Sequence, residues 1–386
     1  MITFSPLLSW KSLIRIFFLS SVDDASLARP WCKGGESIFW FSKTAWSLVA
    51  VTMWWEKVFH RPPTIWVPGY FCNQSLWPLR QYGANRIKFV FYPVKKKFRP
   101  DWDVCDVLAQ TEKPDIFILT HFYGLISDVR KSKAFCDKHN ALFVEDAAHV
   151  ILPFGEIGLA SHFVLYSPHK FFAISQGALC IMRSSVNDYI EKNKVRYIEF
   201  ESIRTLLGSG YYPFFKWLIR QVIKNLTRNF YDFFLYFKKI PPYELDGAHQ
   251  PMPTTTYMHP FAKKLLFLEQ KKIPMYIEHR KKCAKVWEKI IVKRKIKMEH
   301  VFNTDENETP YVAVFNSVNN EAKIIYNELT KNKWPATSWP DLPPEVRKDE
   351  KLHASTIHFR NNMIIFPVNQ SLKIKELLKK YGSPNK

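Results

Sequence analysis

The chain has 386 residues, and its 56 lysine and arginine side chains against 35 aspartate and glutamate give a formal net charge of +21. Apolar residues make up 47% of the chain and aromatic residues 16%, a composition that excludes a disordered or fibrous protein. The longest apolar stretch near the N-terminus, 7–22, is interrupted by Lys11 and Arg15. It also falls short of the roughly 20 apolar residues that a membrane-spanning helix needs. We therefore expect a soluble, cytoplasmic protein.

The six cysteines are far apart and include no Cys-x-x-Cys pair. This spacing predicts neither a zinc site nor a disulfide framework. The positive charge is not accompanied by a nucleic-acid-binding motif, so we expect no nucleic-acid partner. Phosphorylated substrates, an anionic membrane surface and an evenly solvated basic surface stay open as explanations of the charge.

Short apolar runs alternate with polar stretches over the first half of the chain. The apolar runs predict strands at 64–67, 86–92, 115–120, 141–144, 162–166 and 177–182, and the polar stretch 129–139 predicts a crossover helix. Because the runs are nearly continuous, the strands are expected to be buried on both faces, as in a mostly parallel sheet covered by helices. The sequence predicts an α/β fold.

A basic, aromatic segment occupies 211–239. Lys216, Arg220, Lys224 and Arg228 recur every four residues and would form one stripe on a helix, opposite Phe214, Leu218, Val222 and Leu226. This pattern is typical of an interfacial membrane helix. It is equally compatible with a helix that covers its own domain or a partner subunit, and both interpretations stay open.

The remainder of the chain predicts a smaller α+β unit. A proline- and threonine-rich stretch at 240–256 reads as a linker, 261–292 as one long helix, 311–315 and 363–367 as strands, and 321–333 as a helix. We predict an N-terminal segment at 1–34, a large α/β domain at 35–257 with the basic segment inserted, and a long helix with a small C-terminal domain at 258–386. No internal repeat is recognised along the chain.

Charged side chains follow two predicted strands. Asp146 comes at the end of one strand, and Lys170 follows the next. Ligands of open α/β sheets bind at the carboxyl ends of the strands, and a lysine with a carboxylate suits pyridoxal phosphate. The lysine holds its aldehyde as a Schiff base, and the acid keeps its ring nitrogen protonated. Taken alone, the two residues are more simply interpreted as exposed loop charges.

The region 145–182 resembles the DegT/StrS family of sugar aminotransferases, which are pyridoxal-phosphate enzymes of fold type I. The resemblance is carried by Asp-Ala-Ala-His at 146–149, Ser-Pro-His-Lys at 167–170 and Gln-Gly-Ala at 176–178. Weaker similarity is found at 41–45, 67–72 and 121–124, and near the C-terminus at 339–344 and 366–371. It extends from about residue 35 to the end of the chain.

The resemblance implies roles for particular residues. Lys170 would be the Schiff-base lysine and proton shuttle, Asp146 the partner of the ring nitrogen, and His149 would stand where the family usually has glutamine near the ring hydroxyl. The remaining cofactor-binding residues it implies are Ser42, Lys43 and Thr44 in the phosphate-binding turn, Ser167 at the phosphate, and Cys72 over the ring. It also implies a homodimer that transfers an amino group from an amino acid, commonly glutamate, to a keto-sugar nucleotide.

The sequence departs from the family pattern at the phosphate site. Lys43 replaces the usual glycine of the turn, and Leu165 stands where the family often has a phosphate-binding serine. The Ser-x-His-Lys run at 167–170 instead resembles cysteine desulfurase-like enzymes of the same fold. Two alternatives to the aminotransferase therefore stay open: another pyridoxal-phosphate reaction such as elimination, and a degenerate scaffold that works as a membrane-surface or interaction protein through 211–239.

Overall fold

The computed structural model describes residues 4–208, 210, 213–227, 242–243, 255–301 and 307–382. The strands of the first half of the chain are β1 Ser37–Phe41, β2 Thr64–Pro68, β3 Lys88–Tyr92, β4 Ile116–Thr120, β5 Leu142–Ala147, β6 Phe163–Tyr166 and β7 Ala178–Met182. They form one seven-stranded sheet in the order β1-β7-β6-β5-β4-β2-β3. Strands β2 to β6 pair in parallel, whereas β7 runs antiparallel to both of its neighbours, β1 and β6. The prediction of an α/β fold with a mostly parallel sheet is confirmed.

Helices surround this sheet and continue through the rest of the chain. The first nine are α1 Trp10–Arg15, α2 Asp24–Ala28, α3 Thr44–Phe59, α4 Asn73–Gly83, α5 Trp102–Leu108, α6 Val129–His139, α7 Ser185–Lys192, α8 Phe200–Leu206 and α9 Phe214–Leu226. They are followed by α10 Pro260–Gln270, α11 Ile273–Lys293, α12 Ala322–Lys331, α13 Pro344–Lys348, α14 Ala354–Asn362 and α15 Ile374–Tyr381. Among the described residues, no helix has both the length and the apolar composition needed to cross a bilayer.

Both faces of the large sheet are buried, as the continuous apolar runs predict. Along β7, Cys180 belongs to one hydrophobic cluster, and its neighbours Leu179 and Ile181 belong to another. Because successive side chains of a strand point to opposite faces, the two clusters lie on opposite sides of the sheet. Helices α3 to α6 surround the first cluster, and α1, α2, α9 and α10 contribute to the second.

A second, antiparallel sheet is built from the C-terminal part of the chain. Its strands are β8 Met298–His300, β9 Val312–Ser317 and β10 Met363–Pro367, paired in the order β10-β9-β8. Its core contains Trp287 of α11 stacked on Phe366 of β10, with ring centroids 4.7 Å apart. The domain boundaries at 34/35 and 257/258 remain predictions.

Two sequence expectations differ from the structure. The single helix predicted at 261–292 is two helices, α10 and α11, because Pro274 lacks a backbone N–H and is accommodated in the first turn of a new helix. Strand β1 was not predicted, since five residues before the 41–45 motif give too short an apolar run to be recognised. The predicted basic segment is described only in part: Arg228 and the residues to 239 fall outside the described residues.

Candidate active site

The carboxyl ends of β1, β2, β4, β5 and β6 meet at one edge of the large sheet. This follows from the pairing, because β1 and β6 both run antiparallel to β7 and the other strands run parallel to β6. The turn 42–44 follows β1, Cys72 follows β2, His149 follows β5, and 167–170 follows β6. The structure thus brings all the sequence-predicted site residues to the same edge, where open α/β sheets place their ligands.

Asp146 and Lys170 come from adjacent strand ends. Asp146 is buried in β5, and Lys170 is largely buried at the end of a short 3-10 turn, Pro168–Lys170, directly after β6. Burial raises the pKa of Asp146 and lowers the pKa of Lys170, and each charge partly offsets the effect on the other. The pair forms no salt bridge, so the Lys170 amine is held near a carboxylate without being neutralised by it. A lowered pKa increases the fraction of the free amine, which is the nucleophilic form.

Helix α3 begins at this edge with a cation. Lys43 is its N-cap residue and makes no side-chain cap hydrogen bond, which leaves N–H groups of the first turn open to an anion. Burial lowers the pKa of Lys43 to about 8, and the nearby Lys170 adds to the effect. Within the described part of the chain, neither lysine forms an ion pair with a carboxylate. The helix terminus and both ammonium groups therefore favour a bound anion.

A hydroxyl network lies beside the α3 terminus. The Thr44 hydroxyl donates to Ser167 Oγ at 2.9 Å, and His169 Nδ1 lies 3.0 Å from both Ser167 Oγ and the Gly177 carbonyl. Because a carbonyl only accepts, Nδ1 carries the proton of the imidazole. Burial lowers the pKa of His169 well below its usual value, so the ring is neutral. Ser167 thus accepts from Thr44 and from His169, and its own proton remains to be donated.

His149 is a neutral hydrogen-bond donor in this site. Its Nδ1 accepts the Tyr123 N–H at 3.2 Å, and burial lowers its pKa well below the usual value, with Lys170 contributing. The proton of the neutral ring is therefore on Nε2. The ring stacks on Tyr311, with centroids 4.4 Å apart and planes 11° apart, which fixes its orientation.

Glu145 and His121 support the strand ends from within the protein. Both side chains are fully buried, and His121 Nε2 donates to Glu145 Oε2 at 2.9 Å while its Nδ1 accepts the Ser127 N–H. The Glu145 carboxylate also accepts the Gly158 N–H at 3.0 Å. His121 thus has both nitrogens engaged by the protein, which fits a positioning role beside Asp146.

Ser42 and Cys72 are two further predicted cofactor-binding residues, and the hydrogen bonds of Ser42 are made within the protein. The Ser42 hydroxyl donates to the Thr255 carbonyl, and its backbone N–H donates to the Thr256 carbonyl at 2.7 Å. The hydroxyl proton of Ser42 is therefore already used in a hydrogen bond, which holds 255–256 against the turn. Cys72 is half-buried at the start of α4.

Two residues at this edge were given no role from the sequence, although Gln176 belongs to the Gln-Gly-Ala motif at 176–178. Gln176 is fully buried, and both polar atoms of its amide have no partner within the described residues. It precedes Gly177, whose N–H donates to the Ser42 carbonyl at 2.9 Å. A polar side chain in the apolar surroundings of β7 was the available signal for Gln176. Tyr311 had no local signal, since it comes from the start of the second sheet.

The donor set fits pyridoxal phosphate. A phosphate dianion needs cations and hydrogen-bond donors, which Lys43, Ser167 and the α3 terminus provide. The aldehyde needs an amine of lowered pKa, and the ring nitrogen needs a buried carboxylate; these are the properties of Lys170 and Asp146. The neutral ring of His149 has one N–H donor, at Nε2, which is available to the phenolic oxygen of the cofactor.

No family model and no curated protein matches the chain, but many solved structures do. The aminotransferase PseC of Helicobacter pylori, described as involved in pseudaminic acid biosynthesis, superposes with a TM-score of 0.67 at 14% identity over 99% of this chain and 100% of that one. The sugar aminotransferase Spr1654 of Streptococcus pneumoniae in its PLP form gives a TM-score of 0.67 at 14% identity over 98% and 97%. A DegT DnrJ EryC1 StrS aminotransferase of Brucella abortus gives 0.61 at 11% identity over 96% and 93%. The chain therefore has the fold of these aminotransferases.

Proposed function

We propose that this protein is a pyridoxal-phosphate-dependent aminotransferase. The observation that carries the proposal is the pair Asp146 and Lys170 at adjacent strand ends, with opposite pKa shifts, next to a helix terminus that carries a second largely buried lysine. Neither lysine forms an ion pair with a carboxylate among the described residues, and a buried charge without a partner is costly. An anionic ligand at this edge of the sheet would explain why Lys43 and Lys170 are both found there.

Different residues of the chain would have different roles in transamination. The cofactor, when bound, supplies an electron sink for the charge left by a departing proton. Lys43, Thr44, Ser167 and the first N–H groups of α3 would hold its phosphate. Asp146 would keep the ring nitrogen protonated, and His149 Nε2 would donate to the phenolic oxygen. Lys170 Nζ would take the proton from the α-carbon of the amino donor, a general-base step that its lowered pKa favours.

We propose a keto-sugar nucleotide as the amino acceptor and an amino acid, glutamate first, as the donor. One support is the fold shared with PseC, described as an aminotransferase, and with Spr1654, described as a sugar aminotransferase. Another is a net charge of +21 that suits a diphosphate. Such a reaction would serve surface-polysaccharide or glycoconjugate biosynthesis in the cytoplasm. We also propose a homodimer.

Absorbance spectroscopy tests the cofactor and its lysine. Purified protein incubated with pyridoxal phosphate is expected to develop a visible band that borohydride removes and fixes as a covalent adduct. The Lys170→Ala variant should lack both the band and the adduct, whereas Lys192→Ala, an exposed lysine at the end of α7, should keep them. A wild-type protein without a band would refute the proposal.

A second measurement separates transamination from the other reactions of the same cofactor. Glutamate is expected to convert the bound cofactor to its amine form, with release of 2-oxoglutarate, and a keto-sugar nucleotide should restore the original spectrum. Release of ammonia or of an eliminated group instead would assign the site to elimination chemistry.

A further inference from the structure

One six-residue pattern occurs twice in the chain, far apart in sequence, although no internal repeat was predicted. Trp-Lys-Ser-Leu-Ile-Arg forms α1, Trp10–Arg15, and Phe-Lys-Trp-Leu-Ile-Arg opens α9 at 215–220. Each copy has an aromatic residue, then lysine, leucine, isoleucine and arginine at the same spacing. The copies are helical in both places, so the same positions point in the same directions relative to each helix axis.

The two copies also bury and expose the same positions. The leucines, Leu13 and Leu218, are buried, whereas the isoleucines, Ile14 and Ile219, are 60% and 59% exposed. The aromatic residues that begin the copies, Trp10 and Phe215, are likewise exposed, as are all four basic residues. Each helix therefore has three sectors: leucine against the protein, an apolar sector in solvent, and a basic sector beside it.

The apolar sectors extend beyond the repeated pattern. After α1, Phe17 and Phe18 are exposed, the latter at 85%; along α9, so are Ile223 and Leu226. The spacing in the sequence predicts Phe214 and Leu226 on one apolar face, and the structure differs. Phe214 is buried and stacks on His259 at 4.9 Å, so the exposed face is a separate one.

The two helices lie side by side on the same part of the molecule. The Asn225 side chain near the end of α9 donates to the Leu8 carbonyl just before α1, at 2.7 Å. Phe17 and Phe215 both contact Phe261 of α10, with ring centroids 6.1 Å apart in each case. Together α1, residues 16–18 and α9 form one surface, named here the twin-helix face.

The twin-helix face combines exposed apolar side chains with an excess of positive charge. Its segments, 4–22 and 213–227, contain five basic residues and no aspartate or glutamate. The basic residues are Lys11, Arg15, Lys216, Arg220 and Lys224. This combination matches an anionic bilayer, whose headgroups take the charges and whose acyl boundary takes the apolar side chains.

A second copy of the chain is a poorer occupant. In a two-fold contact the same patch meets itself, so basic residues of one copy would approach those of the other, and 4–22 and 213–227 contain no aspartate or glutamate to offset them. Like charges in such positions oppose association. Nucleic acid would satisfy the charges but leaves the isoleucine and leucine side chains without an apolar environment.

We propose that the twin-helix face docks the protein peripherally on an anionic phospholipid surface. Each helix would lie in the plane of the interface, with its apolar sector inserted and its basic sector at the headgroups. The inference rests on the exposure and charge of these helices and does not depend on the proposed aminotransferase activity.

Vesicle co-sedimentation tests this docking with matched variants. Wild-type protein is expected to sediment with vesicles of phosphatidylcholine and phosphatidylglycerol, but not with phosphatidylcholine alone. Lys216→Gln/Arg220→Gln/Lys224→Gln should weaken binding on the order of 100-fold, because each basic residue near such a surface contributes about 1 kcal/mol. The control Lys285→Gln/Lys289→Gln/Lys293→Gln removes three exposed charges at the same spacing on α11 and should bind like wild type.

A second pair of variants, which leaves the charge of the protein unchanged, tests the apolar sector. Ile14→Ser/Ile219→Ser should lose at least tenfold in binding, whereas Val292→Ser/Ile324→Ser, which alters equally exposed apolar residues elsewhere, should not. Absence of wild-type binding, or an equal loss in the control variants, would overturn the proposal. It would also be overturned if light scattering showed an oligomer that Ile14→Ser/Ile219→Ser dissociates, since a second copy would then cover the face.

Discussion

Lys43 stands in the phosphate-binding turn where the resemblance leads us to expect glycine. Its backbone is extended, with φ −142° and ψ 151°, a conformation that any residue adopts, so the turn needs no glycine freedom. Its ammonium is held where burial lowers its pKa to about 8. The substitution therefore replaces a permissive residue with a charge that a bound anion would stabilise.

Lys43→Gln is expected to weaken phosphate recognition and to flatten its pH dependence. An anion favours the protonated lysine, so wild-type affinity should be greatest below pH 8 and should fall as the pH rises through the pKa of Lys43. At pH 7 the variant should bind pyridoxine phosphate, which cannot react with Lys170, roughly 10- to 100-fold more weakly, as expected for loss of a charge-assisted contact. Titration calorimetry between pH 7 and 9 (about one unit each side of 8) measures both effects.

The control for this prediction is Lys57→Gln in the last turn of α3, where the lysine is exposed. It should match wild type at every pH. If Lys43→Gln and wild type lose affinity in parallel as the pH rises, Lys43 is not the titrating group.

Asp146 is expected to act on the reaction more than on binding. Asp146→Asn keeps the shape of the side chain and its acceptor for the Ala148 N–H, now at 3.0 Å, but removes the charge. Half-transamination with glutamate should slow by roughly 10²- to 10³-fold, the usual effect of removing one preorganised electrostatic group. Stopped-flow absorbance measures this rate. Asp103→Asn, on the exposed side of α5, serves as control; an unchanged rate in Asp146→Asn would contradict the assignment.

At the scale of elements, the two ends of helix α4 differ: its start follows a predicted site residue, and its other end is capped by a residue in the left-handed conformation. Helix α4 begins at Asn73, directly after Cys72, and ends at Gly83. The residue that caps it, Ala84, has φ 41° and ψ 49°. This left-handed conformation usually requires glycine. The exposed Ala84 adopts it, and its N–H donates to the Arg80 carbonyl at 3.0 Å, which closes the last turn.

Ala84→Gly is expected to stabilise the protein by about 0.5–1 kcal/mol, because the left-handed conformation strains a Cβ atom but not glycine. Ala25→Gly, at an exposed position inside α2, should destabilise it by a similar amount, since no strain is relieved there. Denaturant unfolding curves measure both changes. A loss of stability in Ala84→Gly would show that the turn is not strained.

At the scale of the whole molecule, the N-terminal segment is part of the core. Trp31 is buried against Trp40 and Phe172, and its indole N–H donates to the Ile151 carbonyl at 2.9 Å. The Leu7 N–H donates to Ser371 Oγ at 2.7 Å near the other end of the chain. The described part of the N-terminal segment, 4–34, therefore packs on the large sheet and reaches the C-terminal region.

Trp31→Ala should lower the free energy of unfolding by about 3–5 kcal/mol, the usual cost of truncating a buried aromatic residue. Trp77→Ala, on α4 with its side chain 47% exposed, should cost under about 1 kcal/mol. Thermal unfolding followed by circular dichroism compares the two. Equal losses would mean that burial of Trp31 contributes little to the fold.

The sequence by itself determined six of the seven strands of the large sheet, β2 to β7, because continuous apolar runs between polar stretches can be buried on both faces in only a few ways. It also placed Asp146 and Lys170 after consecutive strands, which in a parallel sheet puts them at one edge. Only the tertiary structure decided that the Ser42 hydroxyl donates to the Thr255 carbonyl. The same holds for the stacking of Tyr311 on His149 and for the exposure of Phe215 rather than Phe214. Periodicity gives the direction of a side chain relative to its own element, whereas its partner depends on elements hundreds of residues away that fold against it.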